Sequence, residues 1–150
     1  MEHKKHKQLN LIYFVGIDQP QVGYYLIIPE ITPDPQDLNS SSIYNSTYSL
    51  YDTHTNEVGI IIGNTIYTSI SASQNIQMNT YIISLSNGTM TFGFTVIGNN
   101  NDNFYIGGQV INLNFMYGSG EYQNANVKYA TLLPVNDPNQ TRILTIEFDD

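Results

Sequence analysis

The chain of 150 residues fits one domain with a core of its own, and it contains no cysteine, which excludes disulfide scaffolds, thiol nucleophiles and thiolate metal sites. Its formal net charge is -8, with Lys4, Lys5 and Lys7 crowded into the first seven residues. Setting those lysines and Glu2 aside leaves Lys128 and Arg142 against twelve acidic residues, a body of charge -10 that repels phosphate and argues against nucleic acid as a partner.

The segment MEHKKHK opens a flexible basic tail over 1–8, ahead of a single domain over 9–150. His3 and His6 lie in that tail with no third ligand in register, so no metal is assigned, and no cofactor either. The following LNLIYFVGI imitates the apolar run of a signal peptide, but Asn10 interrupts it and no small-residue cleavage site follows. Residues 11–15 read as a first strand instead, and 22–28 as a shorter one.

Pro29, Pro33 and Pro35, followed by a serine run, mark 29–42 as a surface loop or lid. Strand patterns return at 48–51 and 58–69. Tyr24, Tyr25, Tyr44, Tyr48 and Tyr51 flank the loop and would suit a stacking surface, although β-propensity alone accounts for most tyrosines in such a chain.

The clearest element is a hairpin over 79–97. Tyr81, Ile83 and Leu85 alternate with Ile82, Ser84 and Ser86, and Met90, Phe92, Phe94 and Val96 alternate with Thr91, Gly93 and Thr95. Asn87-Gly88 between them predicts a type I′ turn. The polar stretch around Asp102 reads as a turn and lacks the acid spacing of a calcium loop. Further strands are predicted at 111–115, 122–133 and 144–148, the last two separated by the turn sequence VNDPNQ.

Short strands at regular spacing point to an all-β fold, a closed antiparallel barrel of about eight strands, because closure removes the edges that so many β-prone segments would expose. No apolar stretch approaches the ~20 residues that span a bilayer, so no membrane partner is expected and the protein is read as soluble, cytoplasmic or virion-associated. The excess of Asn, Ile and Tyr suggests an AT-rich coding source, a large DNA virus or an AT-rich microbe. Asn39, Asn45, Asn87 and Asn139 begin glycosylation triplets, which chance supplies in so Asn-rich a chain.

Three segments carry a resemblance. SLYDTHTNEVGIIIGNTIYTSI resembles the part of allene oxide cyclase and dirigent barrels where a strand ends in an Asp and a Gly-containing strand pair returns. YIISLSNGTMTFGFTVI is similar to their central hairpin, and YGSGEYQNANVKY to their glycine motif before a late strand. The resemblance covers residues 47–148. It implies a barrel that handles reactive small molecules in an apolar mouth without metal or cofactor, and a homo-oligomer, trimer first.

By that resemblance Asp52 matches the strand-end Asp and Glu121 falls within the glycine motif. Together they form a candidate acid/base pair, set against turn-capping and solvated-rim roles. Tyr51, Tyr117 and Tyr122 are the candidate ligand-binding residues, with Gly118 and Gly120 allowing a tight turn under which the Tyr122 ring can tuck. Where catalytic dirigent sequences carry an Arg this chain has Asn126, followed by Val127. Near the cysteine of plant allene oxide cyclases it has Thr65.

The reading carried forward is a non-catalytic binding or structural module whose partner is an apolar small molecule or a protein. The alternative is a small-molecule isomerase or cyclase. An open cavity with converging polar groups would favour the enzyme, and a barrel filled by Phe92, Phe94, Phe115 and Ile111 the module.

Overall fold

The computed structural model describes residues 8–16, 24–26, 41–71, 74–99 and 107–149, with backbone alone at 24–26, 41–44, 69, 98 and 99. The strands are β1 (Gln8–Phe14), β2 (Tyr24–Leu26), β3 (Ser41–Tyr51), β4 (Glu57–Ser69), β5 (Gln74–Leu85), β6 (Gly88–Asn99), β7 (Ile111–Gly120), β8 (Val127–Pro134) and β9 (Thr141–Phe148). Among the described residues no helix is long and apolar enough to cross a membrane.

The sheet runs β1-β9-β8-β7-β6-β5-β4-β3-β2, and β1 returns to pair with β3 through Ile12 and Tyr51. That pair closes eight antiparallel strands into a barrel, as the regular spacing of strand patterns predicts. β2 takes the earlier part of the same β3 edge, with Tyr24 opposite Asn45 and Leu26 opposite Ile43.

Period-two alternation decides what faces inward. Leu11 and Tyr13 on β1, Leu50 on β3, Ile83 on β5, Met90 and Phe92 on β6, Ala130 and Leu132 on β8, and Leu144 and Ile146 on β9 are all buried. Phe92 is fully buried and meets Phe115 edge-on, centroids 5.5 Å apart at 63°. Phe94 is buried as well, while Ile111 and Phe115 are half-buried and pack against this core.

Antiparallel order gives the barrel two ends. The Asp52 end carries the turns at 52–56, 86–87 and 121–126, and the Arg142 end carries the end of β4 at Ser69 and the turn at 135–140.

The strands differ from the sequence reading in instructive ways. The central hairpin joins at Ser86–Asn87, one residue earlier than expected, with Leu85 opposite Gly88. A type I′ turn needs positive φ at both central residues, and neither Ser86 nor Asn87 has it; Gly88, at φ 153°, begins β6 instead. A side chain there would run into the Ser119 carbonyl oxygen of β7, which is what demands glycine.

Tyr122, expected in a strand, lies in a turn. Its N–H donates to Ser119 O at 3.0 Å, and the Ala125 N–H donates to Tyr122 O at 3.1 Å. Gly120 at φ 61° starts this reversal, and Gly118 lies so close to the Tyr122 carbonyl that any Cβ would overlap it. β3 begins at Ser41, inside the predicted loop, because pairing of Ser41 and Ser42 to Thr68 and Tyr67 of β4 overrides the weak strand propensity of these serines. The basic tail to Lys7, Pro29, Pro33 and Pro35 of the lid, and Asp102 lie outside the described residues.

Candidate functional site

On the inner face of β5 the residues change character along the strand. Asn75, Gln77 and Asn79 precede Tyr81 and Ile83 in the same alternation, and all five are buried. Three amides enclosed at one end of a barrel need partners, because an unsatisfied buried donor costs about 1–3 kcal/mol.

Asn79 is half provided for. Its Oδ1 accepts the Thr65 hydroxyl of β4 at 2.7 Å. Its Nδ2 is buried without a partner, although the residue is only 4% exposed. The Gln77 Nε2 donates to Asn75 Oδ1 at 3.4 Å. Asn64 Oδ1 is also buried without a partner, on the alternate face of β4.

Next to Thr65 the barrel is open. A cavity of about 210 Å³ is walled by the rings of Tyr13, Tyr48 and Tyr81 and by Val15 and Ile61, with Ser46, Thr65 and Arg142 as its polar edge. The Tyr13 and Tyr48 rings lie 5.6 Å apart at 34°, and Tyr81 stacks on Phe94 at 6.1 Å and 18°. Gly63 contributes space by having no side chain: a Cβ there would meet only the edge of the Tyr81 ring at 3.4 Å.

Arg142 reaches this site because β9 sets it opposite Tyr13 of β1 and Pro134 of β8, in step with buried Leu144 and Ile146. The other cation of the folded body, Lys128, lies 3.4 Å from Glu147, with 58% of its side chain exposed.

Asp52 and Glu121 stand at the opposite end. Asp52 follows β3 directly and caps the turn: its Oδ1 accepts the N–H groups of His54 at 2.8 Å and Asn56 at 2.9 Å, and its Oδ2 accepts Asn56 Nδ2 at 3.1 Å. The Asn56 N–H foremost, with the Asn56 side chain and the His54 N–H, holds its carboxyl below the ordinary carboxylate range against the opposing push of burial. A general acid needs the reverse shift. Glu121 is exposed and accepts Asn87 Nδ2 at 2.7 Å. Asn87 lines a shallow groove with Asp52, but no contact joins the two carboxylates.

The three candidate tyrosines are not brought into one pocket. Tyr122 lines the shallow groove and stacks on Phe148 at 5.9 Å and 18°. Tyr51 packs against Phe14 with centroids 5.6 Å apart, and Tyr117 stands 63% exposed on β7. Of the remaining tyrosines near the loop, Tyr48 lines the cavity, while the side chains of Tyr24, Tyr25 and Tyr44 lie outside the described residues. Asn126 is exposed at the Asp52 end, where its carbonyl accepts the Asp149 N–H at 2.7 Å.

Arg142, Asn79, Tyr13 and Tyr81 were missed as site residues by sequence reasoning. The alternation that identified Tyr81, Ile83 and Leu85 as one face, extended backwards, places Asn75, Gln77 and Asn79 on it. The same extension sets Arg142 on the face of Leu144, Ile146 and Phe148. Polar residues continuing an inward face were the available signal.

No family model and no curated protein matches the sequence. Among solved structures the chain is similar to pyocyanin demethylase, with a TM-score of 0.55 and 16% identity over 93% of this chain and 99% of that one. At that identity the likeness shows the barrel fold alone.

Proposed function

We propose that the protein is a non-catalytic binding barrel that takes a small, largely apolar molecule into the cavity at the Arg142 end. The observation that carries this reading is the open cavity itself, walled by the Tyr13, Tyr48 and Tyr81 rings with Ser46, Thr65 and Arg142 at its polar edge. Aromatic walls with a few polar groups are how small-molecule sites are built. Filling of the barrel by Phe92 and its neighbours leaves this end open, so the cavity and the packed core coexist.

The test uses tyrosine emission and thermal melting of the wild type and of Gly63→Leu, which fills the cavity from β4, against one-ring and two-ring aromatic compounds. Stabilisation of the wild type that is lost in the variant is expected. Equal stabilisation of both proteins, or none with any compound, refutes the reading.

A catalytic reading, an isomerase or cyclase of allene oxide cyclase or dirigent type, has one observation in its favour: Thr65, Ser46 and Arg142 converge on an apolar barrel mouth. An enantiomeric excess in product formed with the protein, abolished by Arg142→Gln, would establish it.

Self-association is a second part of the proposal. Residues 58–101 contain no Asp, Glu, Lys, Arg or His, and the outer face of β4 to β6 shows Ile60, Met78 and Ile97, the last 64% exposed. Depletion of charge with exposed aliphatics is the composition of an interface core. A homo-oligomer, trimer first, would cover it.

A further inference from the structure

We propose that the molecule taken by the cavity is an aromatic carboxylate of one or two rings, with Arg142 holding the carboxylate. This ligand class presupposes the binding role proposed above.

Size comes first. A protein cavity of about 150 Å³ is enough to hold benzene. At about 210 Å³ the present one has room for a substituted ring or a compact fused pair. The walls favour flat molecules, since Tyr13, Tyr48 and Tyr81 present ring surfaces and ring pairs gain from stacked or tilted contact.

Charge comes second. The folded body has two basic residues, and one of them is set by strand register on the inner face, at the edge of this cavity. A guanidinium presents five N–H donors in a planar fork, so it can keep a partner within the protein and still offer a pair of donors to a ligand carboxylate. Planar, bidentate recognition matches a carboxylate held in the plane of an aromatic ring.

Calorimetric titration at neutral pH tests this with 4-hydroxybenzoate and 6-hydroxy-2-naphthoate as probes. Comparison compounds are 4-hydroxybenzamide, benzoate, cyclohexanecarboxylate and phenyl phosphate. Either hydroxy acid should bind about tenfold or more tightly than the amide, given the strength of hydrogen bonds to charged groups. Arg142→Gln should remove that preference by weakening the acid far more than the amide, while Arg142→Lys should retain part of it.

Equal binding of acid and amide, tighter binding of phenyl phosphate or of cyclohexanecarboxylate, or equal weakening of acid and amide by Arg142→Gln would overturn the assignment. If neutral aromatics bind the wild type but not Gly63→Leu, the ligand class fails and the binding role stands. If no compound binds, both fail.

Discussion

Asn79→Leu is expected to stabilise the ligand-free barrel. The substitution removes a buried, unanswered amide donor, a relief of about 1–3 kcal/mol, and gives up the Thr65 hydrogen bond, worth about 0.5–1.5 kcal/mol. Thr65 is only half-buried at the edge of the cavity, so its hydroxyl can turn to water. The balance is a gain of about 1 kcal/mol, which for a chain of this size raises the melting midpoint by roughly 2–4 °C. Urea unfolding followed by far-ultraviolet circular dichroism would show it as a higher midpoint at unchanged slope. Since most substitutions destabilise, the sign itself is diagnostic. A loss of more than about 2 kcal/mol would mean that the amide is satisfied in solution and would refute the reasoning.

Gly118→Ala should cost about 1–3 kcal/mol in the same assay, because its Cβ has to displace the Tyr122 carbonyl, whereas Gly63→Ala, meeting only the Tyr81 ring at 3.4 Å, should lie near neutral; equal losses would refute the rim packing described for Gly118. Phe92→Ala, fully buried, should cost about 3–5 kcal/mol, and Tyr117→Ala, on the outside, within about 0.5 kcal/mol. Asp52 and Asp137 are both held below the ordinary 3.8, Asp52 foremost by the Asn56 N–H and Asp137 foremost by the Thr141 hydroxyl. The stability they contribute is therefore complete above that pH and is lost as pH falls through their depressed values; melting curves across acid pH should flatten in Asp52→Asn and Asp137→Asn. Sedimentation equilibrium should show an oligomer that Ile97→Lys, placing a charge on the outer face of β6, breaks to monomer; a wild type that fits only a monomer at micromolar concentration would refute self-association.

The sequence revealed the architecture wherever alternation was long and undisturbed. The faces of β5 and β6 follow from Tyr81, Ile83, Leu85 and Met90, Phe92, Phe94 alone, and the barrel follows from repetition of such runs. Reading faltered where the decisive force came from another strand. Ser41 and Ser42 are weak strand formers recruited by pairing to β4, and the 86–87 turn is set by the approach of Gly88 to Ser119 rather than by the Asn-Gly dipeptide. The candidate site was the least legible part. Resemblance drew attention to acids and tyrosines at the Asp52 end. The cavity depends on Arg142 and three tyrosines on four different strands, whose convergence only closure of the sheet brings about.

From β3 to β9 every strand pairs with its neighbour in sequence, so seven strands can zip as a succession of hairpins. β1 is different: it joins residues 8–14 to residues 141–147, and its backbone pairs with β3 at one position alone, Ile12 with Tyr51. Bringing such remote segments together carries a loop-closure penalty that local hairpins escape, so β1 should be the last strand to dock during folding and the first to swing away during partial unfolding. Its departure would bare the edges of β9 and β3 at once, turning a sealed cylinder into an open ribbon with two sticky margins. Amide exchange should thus be fastest along β1, and aggregation on mild heating should track the loosening of this one strand while the remaining hairpins are still intact.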